Sequence, residues 1–192
     1  MTNLSPHPQA NAFTVVIATL GGASLKGTIE ALNRGTIAPT EILVCIPADE
    51  APKVRNFAYS NVKVLVTECR GQVSQRAIGF RHASHEVVVQ LDDDILLEEN
   101  CIERLLKTLA TLGTEVAVAP SFMSLSTGES VYQQPRRSRL MLKLYYWLMN
   151  GHAGYQPGTL DKSGSHVGVD PKNARNDLFD VDVLAGGCVM HY

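Results

Sequence analysis

The side chains here with the most evident capacity for chemistry are three consecutive aspartates, Asp92, Asp93 and Asp94, placed directly behind the apolar run VVVQL at 87–91. Adjacent carboxylates repel one another. At the end of a buried strand that repulsion is costly unless a divalent cation or strong donors offset it. Oxygen ligands favour Mg2+ or Mn2+. An ion of the magnesium type takes only one or two protein carboxylates and fills its shell with water and phosphate oxygens, which suits a diphosphate ligand. If the chain stays extended through the run, alternation sends Asp92 and Asp94 to one side and Asp93 to the other. Asp92 and Asp94 are then the metal pair. Capping the following helix would need one acidic side chain and leaves the others unexplained.

Other reactive residue types make weaker cases. His82 and His85 are three apart, with no further ligand nearby in sequence, and read as surface residues rather than a metal site. Ser163, Gly164 and Ser165 carry no base pattern and read as a loop. Cys45, Cys69, Cys101 and Cys188 are far apart, and three of them lie in or beside apolar runs, where free cysteine behaves as a small core hydrophobe. Unpaired cysteines point to a reducing compartment.

Parallel strands alternating with helices are the elements that would position the aspartates. FTVVIAT at 13–19 is apolar and β-branched, as a strand covered on both faces must be. Gly21 and Gly22 end it. SLKGTIEALNR at 24–34 spaces Leu25, Ile29 and Leu32 as a helix, with Ser24 as N-cap and Gly35 as stop. Strands follow at 42–46 and 62–66, with a polar connection that has room for a short helix. A helix over 72–83 would bury Val73, Ala77 and Phe80. After the aspartates, Glu98 and Glu99 open a helix carrying Ile102, Leu105, Leu109 and Leu112, stopped by Gly113, and VAVAP at 116–120 is a short strand. Beyond Pro120 the pattern loosens. A helix over 138–149 carries Leu140, Leu144, Trp147 and Leu148 and is expected to pack on the sheet, although Arg136, Arg137 and Arg139 ahead of Tyr145 and Tyr146 would also suit an anionic membrane surface. The economical division is a loose leader over 1–12 and one domain over 13–192.

The segments FTVVIAT, RGQVSQRAIGFRHAS, VVVQLDDDILLEEN and LAGGCVM, in that order, resemble the family 2 glycosyltransferases over residues 13–192. The resemblance implies the nucleotide-diphosphosugar-binding fold called GT-A, a mainly parallel sheet flanked by helices. It implies transfer of a sugar from a nucleotide-diphosphate donor to a saccharide or lipid-linked acceptor, with inversion at the anomeric carbon, in polysaccharide or glycoconjugate synthesis. Asp92 and Asp93 then lie on the donor side, with Asp94, joined by Asp92, on the metal. Arg76, in a segment similar to the family's A-R-N, would contact the base or the diphosphate. The backbone of Thr19 and Leu20 would lie against the nucleobase. Where many relatives place an acidic base-binding residue at the end of the second strand, this chain has Ile46 and Pro47, leaving Asp49 as the candidate. Gly186 and Gly187 form the acceptor-side turn. The family's general base follows that turn, so it is expected beyond Tyr192, in a longer enzyme of which this chain is the amino-terminal part. Asp180 and Asp182, which precede the turn, are not promoted to that role.

With 45% hydrophobic residues, 19% charged residues and a net charge of −2, the composition is that of a globular protein without a broad polyanion-binding surface, so no nucleic-acid partner is expected. No apolar run has transmembrane length, and the start lacks a secretory pattern. The expected location is the cytoplasm, with peripheral attachment at the inner face of the membrane as an extension. Two other functions fit parts of the pattern. A sugar nucleotidyltransferase uses a related sheet and metal aspartates, but would carry a basic glycine-rich loop after the first strand. A non-catalytic nucleotide-binding fragment would need no base.

Overall fold

In the computed structural model, residues 12–132, 139–150, 157–164, 166, 168–173 and 178–192 are described. Most of the leader, Arg136, Arg137 and Ser165 fall outside them. The chain divides into two compact units, Met1–Ala119 together with Gly186–Tyr192, and Pro120–Ala185. The division falls where the regular sequence pattern stops.

The first unit is built on a six-stranded sheet in the order β3-β2-β1-β4-β6-β5. Its strands are β1 (Phe13–Ala18), β2 (Glu41–Pro47), β3 (Val62–Thr67), β4 (Val87–Leu91), β5 (Ala117–Val118) and β6 (Cys188–His191). The first four are mutually parallel, while β6 runs antiparallel to both β4 and β5. The mainly parallel sheet with flanking helices is the expected GT-A arrangement. Every residue of β1 and β2 is buried, as continuous apolar runs at the centre of a covered sheet should be. β3 lies at the edge and leaves Val64 and Val66 exposed. A short 3-10 turn at Ala51–Val54 occupies the connection before it. The fifth strand is shorter than the apolar run suggested, Ala117–Val118 alone pairing with β6.

Among the described residues three α-helices belong to this unit. α1 (Leu25–Arg34) buries Leu25, Ile29 and Leu32 as its spacing requires. Ser24 stands at its cap position, yet its hydroxyl makes no cap bond, because Ser24 is already helical at φ −70 and ψ −29 rather than extended as capping geometry needs. α3 (Cys101–Leu112) buries Ile102, Leu105 and Leu109, ends at Gly113 with φ 93, and leaves Leu112 exposed in its last turn. Glu98 and Glu99 precede this helix instead of opening it.

α2 (Gln72–His82) departs most from expectation. Val73 is 81% exposed, and the buried positions are Gln75 and Gly79. The reason is close approach: a Cβ on Gly79 would collide with Val16 Cγ1 and stand 2.8 Å from Cys45 Sγ. The glycine face is the one that fits against β1 and β2. That rotation carries Val73 outward and Gln75 inward, while Phe80 still packs on the cluster of Val16, Leu43, Cys45 and Val88.

At the amino ends of the strands, Glu41 is buried with its carboxylate fully used. It accepts from Thr14 Oγ1 at 2.9 Å, Ser84 N and Ser84 Oγ at 3.0 Å, and Lys63 Nζ at 2.7 Å. Burial alone would raise its pKa. The donors outweigh burial and hold it at about 2.

Among its described residues the second unit is mostly loop. α4 (Arg139–Asn150) forms where the spacing placed a helix, but its described apolar side chains, from Tyr145 at 49% to Leu140 at 82%, are exposed rather than packed as expected. Isolated bridges join Met123 to Ser130 and Leu160 to His166. Asp182 staples the loops, its N–H donating to Gly158 O at 2.7 Å and its Oδ2 accepting from Leu160 N at 2.9 Å.

Candidate functional site

In this sheet the chain winds outward from β1 to β2 and β3 on one side and to β4 on the other, so the strand order reverses between β1 and β4. In open parallel sheets the crevice for ligands lies at that switch, outside the carboxyl ends of the strands. Thr19 follows β1 there, and Asp92 follows β4.

The aspartates do not continue the strand. β4 ends at Leu91, and Asp93 and Asp94 form a turn, so strand alternation does not govern their directions. Asp92 N donates to Gly187 O at 2.8 Å. Its Oδ1 accepts from Arg76 Nη2 in a salt bridge and from Gln72 Nε2 at 2.9 Å. Asp93 is engaged with the neighbouring strand end: its Oδ2 accepts the Thr19 hydroxyl, and its carbonyl accepts Thr28 Oγ1 at 3.0 Å. Thr19 Oγ1 also accepts Gly21 N at 2.9 Å. Asp94 is exposed, and no hydrogen-bond donor reaches its carboxylate among the described residues.

The electrostatics follow this arrangement. Burial raises the pKa of Asp92, Arg76 pulls it down, and the Asp94 and Asp93 charges push it up again. Arg76 is only 12% exposed in its side chain, and its Nε is buried without a partner among the described residues. A cation beside the turn would relieve the carboxylate crowding.

The remaining predicted positions are distributed around the same edge. Thr19 is buried, its N–H donating to Cys45 O at 3.0 Å and its carbonyl accepting Gln75 Nε2 at 2.9 Å, so its backbone is occupied by the protein. Leu20 is exposed, and its carbonyl accepts Lys53 Nζ at 3.1 Å. Asp49 pairs with Arg70 at 3.1 Å, and Glu50 pairs with both Arg70 at 2.6 Å and Lys53 at 2.5 Å. Asp49 is therefore committed within a surface network. Gly186 and Gly187 form a turn held to β4, since Gln90 Nε2 donates to Gly186 O.

Among the described residues no three His, Cys, Asp or Glu side chains converge as a preformed metal cage. The carboxylates fit the other pattern, in which one or two protein oxygens hold a magnesium-type ion and phosphate supplies the rest. Asp94 is the exposed carboxylate of the three. His82 and His85 take no part: His82 Nδ1 contacts Ile78 O and His85 Nδ1 contacts Thr14 Oγ1, both at 2.9 Å. The cysteines are unpaired, and burial pushes the thiols of Cys45 and Cys101 up to about 11 and Cys188 to about 12. They stay protonated, as core hydrophobes would. Among the described residues, no helix is long and apolar enough to cross a membrane.

Hydrophobic patterning did not single out Gln72, Gln75, Thr28 or Gln90. A signal existed for the first two. Gln72, Gln75, Arg76 and Gly79 recur at helical spacing, a polar-and-small stripe that competes with the weaker apolar one.

Residues 14–167 match the family described as glycosyl transferase family 2. The chain belongs to that family. No curated protein matches this family 2 chain significantly. Among solved structures, S. aureus TarS aligns at 18% identity over 66% of this chain and 40% of its own, with a TM-score of 0.50. A mannosyltransferase from Pyrobaculum calidifontis, in complex with GDP-Man and Mn2+, aligns at 22% identity over 60% of this chain and 36% of its own, with a TM-score of 0.49. A 4-diphosphocytidyl-2C-methyl-D-erythritol synthase from Anaerococcus prevotii gives 15% identity, 66% coverage of each chain and a TM-score of 0.41. At 18% identity the likeness to TarS is one of fold. The family 2 chain spans 40% of the TarS chain and 36% of the mannosyltransferase.

Proposed function

We propose that this family 2 chain is the donor-binding part of an inverting, metal-dependent glycosyltransferase that takes its sugar from a nucleotide-diphosphate donor and delivers it to a saccharide or lipid-linked acceptor. The observation that carries the reading is the division of labour in the acidic turn at the β1/β4 switch. Arg76 and Gln72 fix Asp92, Thr19 and Thr28 fix Asp93, and Asp94 is left exposed. Asp94, with the remaining oxygen of Asp92, would hold Mg2+ or Mn2+. Bound there, the ion supplies positive charge to the diphosphate that departs from the sugar. The buried guanidinium of Arg76 adds a second positive charge, held in place for the same developing anion by its bridge to Asp92.

A sugar nucleotidyltransferase is less well supported. The loop after β1, residues 19–24, contains no basic side chain, and the cation near it, Lys53, comes from the β2–β3 connection and is already bound to Glu50 and Leu20 O.

Thermal unfolding of the wild type and of Asp94→Ala, with GDP or UDP and Mn2+, tests the proposal. A ligand at about 100 times its Kd stabilises the state that binds it by about 2.7 kcal/mol, a shift of several degrees for a chain of this size. The wild type should show the shift only with metal and nucleotide together, and Asp94→Ala should lose it. Absence of any shift with every nucleoside diphosphate would sink the donor-site reading.

A further inference from the structure

Gln75 lies inside the first unit at 2% exposure, with its amide aimed at the carboxyl ends of two strands. Its Nε2 donates to Thr19 O at 2.9 Å and to Cys45 O at 2.6 Å, and its Oε1 accepts Gly71 N at 3.2 Å. One side chain thus joins the end of β1, the end of β2 and the residue that opens α2. A buried amide normally finds such partners. What matters here is which backbone it has found. Thr19, whose carbonyl Gln75 holds, is the residue whose hydroxyl holds Asp93 and accepts Gly21 N. Arg76, the next residue along α2, holds Asp92. Both buttressed aspartates are therefore referred to one helix, Asp92 directly and Asp93 through Thr19.

The alternatives to glutamine at this point are poor. Methionine fills the same length but leaves the buried Thr19 carbonyl without this partner, at a cost of about 1–3 kcal/mol. Glutamate keeps the acceptor but, when ionised, sets a negative charge against two carbonyl oxygens. Gly79, one turn further along, brings α2 close enough for a side chain as short as glutamine to span the gap.

We propose that Gln75 is the positioning residue of the donor site, fixing the Thr19 hydroxyl and through it the acidic turn that presents Asp94; the link to the donor rests on the function proposed above. Supporting side chains of this kind act through placement, and removing one typically weakens metal or ligand affinity 10- to 100-fold while the ligating groups stay in the chain.

The test uses Gln75→Met and Gln75→Glu, with amide hydrogen exchange and the affinity for GDP or UDP with Mn2+ measured on each. In Gln75→Met, protection of the Gly21 amide should fall about tenfold or more, while the Ile42 amide, bonded to Asn61 O at the other end of β2, keeps its protection. Nucleotide affinity should fall about tenfold. In Gln75→Glu, the affinity relative to the wild type at the same pH should recover towards low pH, where the protonated acid can donate again. Should Gln75→Met not fold, this pH profile carries the test. Unchanged protection at Gly21, or an equal loss at Gly21 and Ile42, overturns the positioning role. Loosened Gly21 with unchanged affinity overturns its connection to the donor. A wild type that binds no nucleotide overturns the donor reading itself, and the exchange data then decide the Thr19 anchoring alone.

Discussion

The two edges of the central sheet each hold buried or half-buried carboxylate, and they treat it in opposite ways. At the amino edge Glu41 is surrounded by Thr14, Ser84 and Lys63 and sits far below the ordinary range, at about 2. At the carboxyl edge Asp92 shares its turn with Asp93 and Asp94 and lies above its ordinary value, because burial and two like charges outweigh Arg76. A saturated carboxylate contributes to stability and has no capacity left for a ligand. A crowded one with an exposed neighbour is poorly compensated by the protein alone, and a cation can supply the difference. The contrast separates a carboxylate the protein has saturated from one it leaves crowded, the condition on which the proposed donor site rests.

The largest expected effect lies at the saturated edge. Glu41→Ala removes the buried acceptor shared by Thr14, Ser84 and Lys63, and should cost about 1.5–3 kcal/mol in urea unfolding. A loss below about 1 kcal/mol would break the contrast.

The next effect is in pH dependence, where the two edges have opposite signs. Glu41 is depressed from 4.5 to about 2. Its contribution is complete above about pH 4.5 and is lost as pH falls from there towards 2. Asp92 is raised above 3.8, so the folded state keeps that proton longer and ionisation subtracts stability as pH climbs through the range above 3.8. Unfolding midpoints measured from about pH 5 down to about pH 2.5 should fall in the wild type and fall less steeply in Glu41→Gln. Parallel curves would show that Glu41 is not the group responsible.

The smallest effect on stability belongs to the crowded edge. Asp92→Asn keeps an acceptor for Arg76 and removes one of three adjacent negative charges, so it should change stability by no more than about 1 kcal/mol. A much larger loss would mean that Asp92 is a structural acid like Glu41.

Most of the first unit was legible in the amino-acid order. β1 and β2 are apolar, β-branched runs that only a central covered strand can bury, and α1 and α3 repeat their apolar residues at 3.6 spacing. The acidic run was legible as a crowded cluster at a strand end, because three adjacent carboxylates need compensation wherever they lie. Less visible were the rotation of α2 and the partners of Asp92 and Asp93. Val73 looked like the buried residue of α2, since hydrophobicity is a local property, whereas the fit of Gly79 against Val16 and Cys45 depends on strands about 35 to 60 positions away in sequence. The second unit was harder still, because its loops and exposed helix carry little periodicity to read.

By itself the sequence determined that a parallel α/β sheet would form and that an acidic run would stand at the end of its fourth strand, because periodicity and charge crowding are written into neighbouring residues. Tertiary structure decided which carboxylates are held and which is exposed. That choice depends on Arg76, Gln72, Thr19 and Gln75 arriving from other elements, and only the packing of α2 against β1 and β2 brings them there.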